Sequence, residues 1–131
     1  MNLSADVVEY NNSLDAENVA RARSLAGHFG AAVPMAEGKV WHGHPVWFVD
    51  GNPVFGYSLK KSGIEVLFWS GQSFKRPGLR AIGKFQAAGI LVDELDAAFE
   101  QRLRKWLEES ALIQWDYKNI VKRKGLLERL H

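Results

Sequence analysis

Residues 46–70 read VWFVDGNPVFGYSLKKSGIEVLFWS, and the spacing of two turn signals inside this stretch decides the fold. Asp50-Gly51-Asn52-Pro53 is the first signal and Lys60-Lys61-Ser62-Gly63 the second. Between and beside them lie apolar, β-branched and aromatic runs, so the stretch predicts three antiparallel strands. A two-residue loop at Gly51-Asn52 sets Val49 opposite Val54, Phe48 opposite Phe55, Trp47 opposite Gly56 and Val46 opposite Tyr57. A four-residue loop at 60–63 sets Leu59 opposite Ile64, Tyr57 opposite Val66, Gly56 opposite Leu67, Phe55 opposite Phe68 and Val54 opposite Trp69. Alternation then sorts the side chains into two exclusive faces. One carries Phe48, Phe55, Phe68, Val46, Tyr57 and Val66, and is the expected core. The other carries Trp47, Leu67, Trp69, Val49 and Val54, with Gly56 leaving room for an indole across the middle strand.

The flanks change period. Ser4 is placed to cap a short helix with Val7, Tyr10 and Leu14 on one side. A longer helix is expected from Asp15 to Gly30, with Leu14, Val19, Ala22, Ala26 and Phe29 at helical spacing. Residues 31–39 read as a loop. Beyond the hairpins, 71–79 is a Gly/Pro-bearing loop, 79–85 a fourth strand and 89–92 a short fifth. Asp93 or Asp96 starts a helix to about Glu109, with Leu95, Phe99, Leu103, Trp106 and Leu107 on one stripe. A last helix is expected over 116–124, with Tyr117, Ile120 and Val121 turned inward and Gly125 ending it. The sum is a single α+β domain over 1–131. It is a two-layer sandwich, with one antiparallel sheet of four to five strands (40–92) packed against N-terminal (4–30) and C-terminal (94–125) helices.

Composition agrees with one core. The chain has 131 residues, 47% hydrophobic and 24% charged, with a mean hydropathy of -0.21. No apolar run approaches the roughly 20 residues that span a bilayer. MNLSADVVEY has neither a basic n-region nor an apolar h-region, so no signal peptide is expected. The absence of cysteine excludes disulfides, thiolate metal sites and a Cys nucleophile, and fits a cytoplasmic protein. The net charge of +2 is uneven. Residues 102–131 hold eight basic and four acidic side chains, which reads as a solvated helix face before it reads as an anion site.

Candidate chemistry concentrates in VWHGHPVWF, residues 40–48. In an extended segment His42 and His44 point the same way, and neutral imidazoles two apart can supply two ligands to one metal. A catalytic site needs a third ligand. Glu37 is the nearest upstream acid and Asp50 lies beyond the strand. No dinucleotide, P-loop, zincin or nucleophile-elbow motif occurs. Ser70 and Ser73 could meet a histidine, but no orienting acid is identified, so the reading leans away from an enzyme. The feature with most weight is the second sheet face. Left open, a patch with two Trp reaches the size at which binding is the default reading. The C-terminal Trp115, Tyr117 and Ile120 could instead cover it, or a second copy of the chain could bury it. Nucleic acid is disfavoured, because the aromatics and the basic run fall on different elements.

The stretches VVEYNNSL, EGKVWHGHPVWFVDGNPVFGYSLKKSGIEVLFW and QWDYKNIVKRKG together resemble the YdhG-like family, a domain family largely of unknown function, and the likeness covers most of the chain. The resemblance implies a two-layer α/β sandwich on one antiparallel sheet. Some members are described as frataxin-like iron chaperones. That would imply Fe(II) held by acids of the first helical region, here Asp6, Glu9, Asp15 and Glu17, shared with His42 and His44. The reading is therefore a small cytoplasmic binding domain. Its ligand or partner, a small molecule or a protein, meets Trp41, His42, His44, Trp47, Gly56, Leu67 and Trp69. No cofactor is predicted beyond Fe(II) under the alternative, and no membrane partner is expected.

Overall fold

The computed structural model describes residues 3–131, so the first two residues of the N-terminal stretch lie outside it. Elements follow in the order α1 (Ala5–Asn12), α2 (Ala16–Ala32), β1 (Glu37–Trp41), β2 (His44–Val49), β3 (Asn52–Lys60), β4 (Gly63–Phe68), a 3-10 turn (Gly71–Ser73), β5 (Arg80–Ala81), β6 (Ala88–Leu91) and α3 (Ala97–Leu112). The strands form one antiparallel sheet in the order β1-β2-β3-β4-β6-β5. The α+β layering is as expected from sequence, but the sheet has six strands rather than four to five. The extra one is β1, in a stretch that begins within the expected 31–39 loop. The expected 79–85 strand shrinks to the two residues of β5.

α2 and α3 start at the caps expected for them; before α1, Ser4 holds the N-cap position but makes no cap bond, because its hydroxyl donates to Asp6 instead. The Asp15 side chain accepts from Asn18 N at 2.9 Å, and Asp96 accepts from Phe99 N at 2.8 Å. α2 runs past Gly30 to Ala32, because a single helical glycine costs only about 1 kcal/mol and tertiary packing overrides it. The helix expected over 116–124 is absent; the segment is a series of turns. Its hydrogen bonds are mixed, Arg123 N to Asn119 O at 3.1 Å and Gly125 N to Ile120 O at 2.8 Å. Gly125, at φ 89, does close it. Val121, expected inward, is 88% exposed.

The register of β3 with β4 is the predicted one, Leu59 to Ile64 through Phe55 to Phe68, and Trp69 N donates to Val54 O at 3.0 Å. The register of β2 with β3 is not. The turn is Asp50-Gly51, with φ 51 and 78, the two left-handed residues that a type I′ hairpin needs. Val49 pairs with Asn52 and Phe48 with Pro53; then the register shifts and Trp47 pairs with Phe55 and Val46 with Gly56. Val54 is the extra residue of this bulge. Pro53, which has no N–H to give to a ladder, sits beside it. The shift inverts β2: Trp47 joins the core face, while Val46 and Phe48 go to the other side.

All three helices pack on that core face. Phe29 of α2 lies 4.9 Å from Trp47, 4.7 Å from Phe55 and 5.9 Å from Tyr57 between ring centroids. Such tilted and edge-to-face pairs contribute about 0.5–1.5 kcal/mol each beyond burial. Phe68 meets Trp106 of α3 at 6.2 Å. From α1, Asn11 Oδ1 accepts a 2.6 Å hydrogen bond from Tyr57 Oη, both side chains buried.

Candidate functional site

The helix-free face of the sheet is built by strand alternation. It carries Glu37, Lys39 and Trp41 from β1, His44, Val46 and Phe48 from β2, Gly56 from β3, and Glu65 and Leu67 from β4, with Trp69 just beyond. Its centre is aromatic. The Trp41 ring lies 5.5 Å from Phe48 at 74° and 6.4 Å from Trp69. His42 stacks at a tilt on Trp41, 4.2 Å between centroids. Lys39 Nζ sits 4.7 Å over the Phe48 ring, a cation–π contact. Trp41 is 36% exposed, and Leu67 and Trp69 are half-buried. The face therefore offers an apolar, polarisable surface with a cation at its rim.

Four of the residues expected here need correction or refinement. Trp47 is 1% exposed and belongs to the core, for the register reason given above. Gly56 makes no berth for an indole: a Cβ there would stand 2.4 Å from the Pro45 carbonyl oxygen, so close approach of two backbones requires the glycine. His42 and His44 do not share an extended run. His42 and Gly43, at φ 53 and 84, form the turn between β1 and β2, and His44 opens β2. Trp41, Leu67 and Trp69 do lie on this face. Phe48 and Lys39 are the members that sequence reasoning missed; His42-Gly43 between two alternating runs is itself a two-residue turn signal and would have revealed β1.

His44 is half-buried, and its Nδ1 atom is buried without a hydrogen-bond partner. Burial, helped by the charges of Lys60 and His42, holds its pKa below the usual histidine value. Among the described residues no group of three or more His, Asp or Glu side chains is placed to hold a metal ion. Ser70 Oγ accepts from Trp115 N at 3.0 Å and Ser73 Oγ accepts from Trp115 Nε1 at 2.9 Å, so both serines serve to anchor the C-terminal segment. The histidine turn and these serines lie at opposite ends of the strands.

That segment is tied to the far end of the sheet. Asn52 Nδ2 donates to Trp115 O at 2.9 Å and Asn52 Oδ1 accepts from Lys118 N at 2.9 Å. Tyr117 Oη accepts from Gln86 N at 3.0 Å. Asp116, buried, accepts from Asn119 N at 3.2 Å and Nδ2 at 3.0 Å and from Arg123 Nη1. These bonds, Asn119's first, hold the Asp116 carboxyl below the usual carboxylate range. No helix of the described residues is long and apolar enough to cross a membrane. Comparison of the chain with protein-family models, with curated proteins and with solved structures finds no match.

Proposed function

We propose that this is a cytoplasmic binding domain whose ligand, a small molecule or a protein side chain, lies on the Trp41, Phe48 and Trp69 rings. The observation that carries the reading is Trp41, 36% exposed, grouped with two further aromatic rings on the one sheet face that no helix covers. Exposed aromatic surface rimmed by polar groups is a common mark of a binding surface; here Trp41 is the exposed ring, Trp69 is half-buried and Phe48 lies beneath, 9% exposed. The same face carries Lys39 and Lys60 and also Glu37 and Glu65, so its rim offers partners of either charge to a ligand with an apolar plane. The layering of helices on one antiparallel sheet agrees with what the YdhG-like resemblance implies.

The test is titration with 1-anilinonaphthalene-8-sulfonate, an aromatic anion, followed by its fluorescence. Saturable binding that is lost in Trp41→Ala and in Trp69→Ala, with melting cooperativity retained, supports the reading. Equal binding by wild type and both variants sinks it. Anaerobic titration with Fe(II), beside a His42→Ala/His44→Ala variant, tests the iron-handling alternative. Stoichiometric uptake lost in that variant would put iron handling in place of the aromatic ligand.

A further inference from the structure

β1 is an edge strand, and among the described residues its outer backbone is only partly covered. The two-residue His42-Gly43 turn makes Trp41 and His44 a hydrogen-bonded pair, so the backbone groups of Trp41, Lys39 and Glu37 point to β2 and those of Val40 and Gly38 point outward. Two observations agree. Val40 faces Pro45, which has no N–H to offer, and Val40 N donates outward to Asp6 Oδ2 at 2.8 Å. Asp6 thus caps the edge at Val40. Gly38 lies further along the same edge and borders a concavity of about 840 Å³ between Leu3 and Ser4, α2 and β1.

The chain around Gly38 is complementary to itself when reversed. Two β1 strands run antiparallel and centred on Gly38 set Glu37 of one copy against Lys39 of the other, a pair that occurs twice, and bring Met35, in the turn before β1, towards Trp41. Glu37 and Lys39 are exposed, and among the described residues neither has an ion-pair partner in its own chain. Met35 is 70% exposed, and a thioether against an indole edge is a favourable contact. A guarded edge carries like charges or proline, which repel or block a second strand. Here an acid and a base stand symmetrically about an outward-facing glycine, so identical copies attract.

We propose that β1 is a homodimerisation edge, two copies pairing antiparallel through the backbone of Gly38 alone, since Val40 N is held by Asp6 and Ala36 N by Val33 O. The Gly38 N–H and C=O of each copy supply the central pair of hydrogen bonds. The Glu37–Lys39 pairs fix register and direction. This surface shares Lys39 and Trp41 with the aromatic face, and Trp69, which lies beyond β4 and outside the paired strands, separates the two readings.

The test is sedimentation equilibrium of the full chain from micromolar to near-millimolar concentration at low salt. Wild type is expected to show a monomer–dimer equilibrium. Glu37→Lys alone sets Lys against Lys, and Lys39→Glu alone sets Glu against Glu; each should weaken the dimer by about tenfold or more. Mixing the two single variants makes every pair attractive again, so a heterodimer should form, and the double swap should self-associate like wild type. Trp69→Ala should leave association unchanged. A chain that stays monomeric throughout, a dimer indifferent to these charges, or one lost in Trp69→Ala would each overturn the proposal.

Discussion

The Trp47 indole occupies the space that a side chain at residue 38 would need: an ideal Cβ on Gly38 would stand 2.7 Å from Trp47 Cε2 and 2.8 Å from Nε1. The two residues are directly paired across β1 and β2. Phe29 packs edge-on against the indole at 89°, which limits how far it can shift. Gly38→Ala is therefore expected to destabilise the domain by about 1–3 kcal/mol, an overpacking cost, seen as a lower urea midpoint at unchanged m-value. A midpoint equal to wild type would mean that the indole can shift.

Tyr57 and Asn11 form the polar link between α1 and the core face. In Tyr57→Phe the Asn11 Oδ1 is left buried without its donor, at a cost of about 1–3 kcal/mol. Burial raises the Tyr57 pKa above its ordinary 10.0. The sign follows from linkage: the folded state resists ionisation, so the stability this gives is present below pH 10.0 and falls as pH rises above it. Urea titrations across that range should show a shallower alkaline loss in Tyr57→Phe than in wild type.

Asp6 guards the outward amide of Val40. Its pKa is held down first by the Ser4 hydroxyl, then by the Val40 amide. A depressed carboxyl contributes order above its unfolded pKa, near 3.8, and loses it as pH falls through the folded value. Asp6→Asn can present its one acceptor oxygen to Val7 N or to Val40 N, not to both. Hydrogen exchange at Val40 should accelerate at least severalfold in Asp6→Asn, with little change at Lys39, whose amide faces β2. Unchanged exchange at Val40 would show that the amide is protected by something else.

Asp116 organises the turns of residues 116–125 through Asn119 and Arg123. Asp116→Ala should open these turns and hasten tryptic cleavage after Lys118, Lys122 or Lys124, while the core unfolds at nearly the wild-type temperature. Because the carboxyl is held in its charged form, wild type should become similarly cleavable or disordered only as pH falls below about 3.8. Amide spectra of Asn119 and Arg123 across acid pH would follow it.

The legible parts of this fold were those where one local rule sufficed. Asp15 and Asp96 were readable as caps because nothing else competes for those helix ends. The β3–β4 register followed from the Lys60–Gly63 turn because loop lengths of two and four give the same pairing parity. The β2–β3 register did not. Asp50-Gly51 and Gly51-Asn52 are both good turn dipeptides, and the bulge at Val54 depends on the ladder, not on local composition. One residue of shift moved Trp47 from the proposed site into the core and Phe48 out of the core into the site. The last helix failed because Asp116, Asn119 and Gly125 suit a capped turn as well as a helix start and stop. Tertiary bonds from Asn52 and Tyr117 favour the turn. Of the residues expected on the aromatic face, Leu67 and Trp69 lie there because β4 kept its register against β3, while Trp41, expected beside the face, joins it through the unforeseen β1.

The approach of Trp41 to Trp69, 6.4 Å between ring centres at 39°, gives the molecule an optical consequence. Two indoles so close and fixed at such an angle couple their electronic transitions, and the coupling is chiral. The native protein should carry a paired positive and negative band in its circular dichroism, absent from Trp41→Phe and from Trp69→Phe alike. Anything that wedges between the rings would dim that pair while leaving the buried Trp47 and Trp106 silent, so the surface reports on its own occupancy without a label.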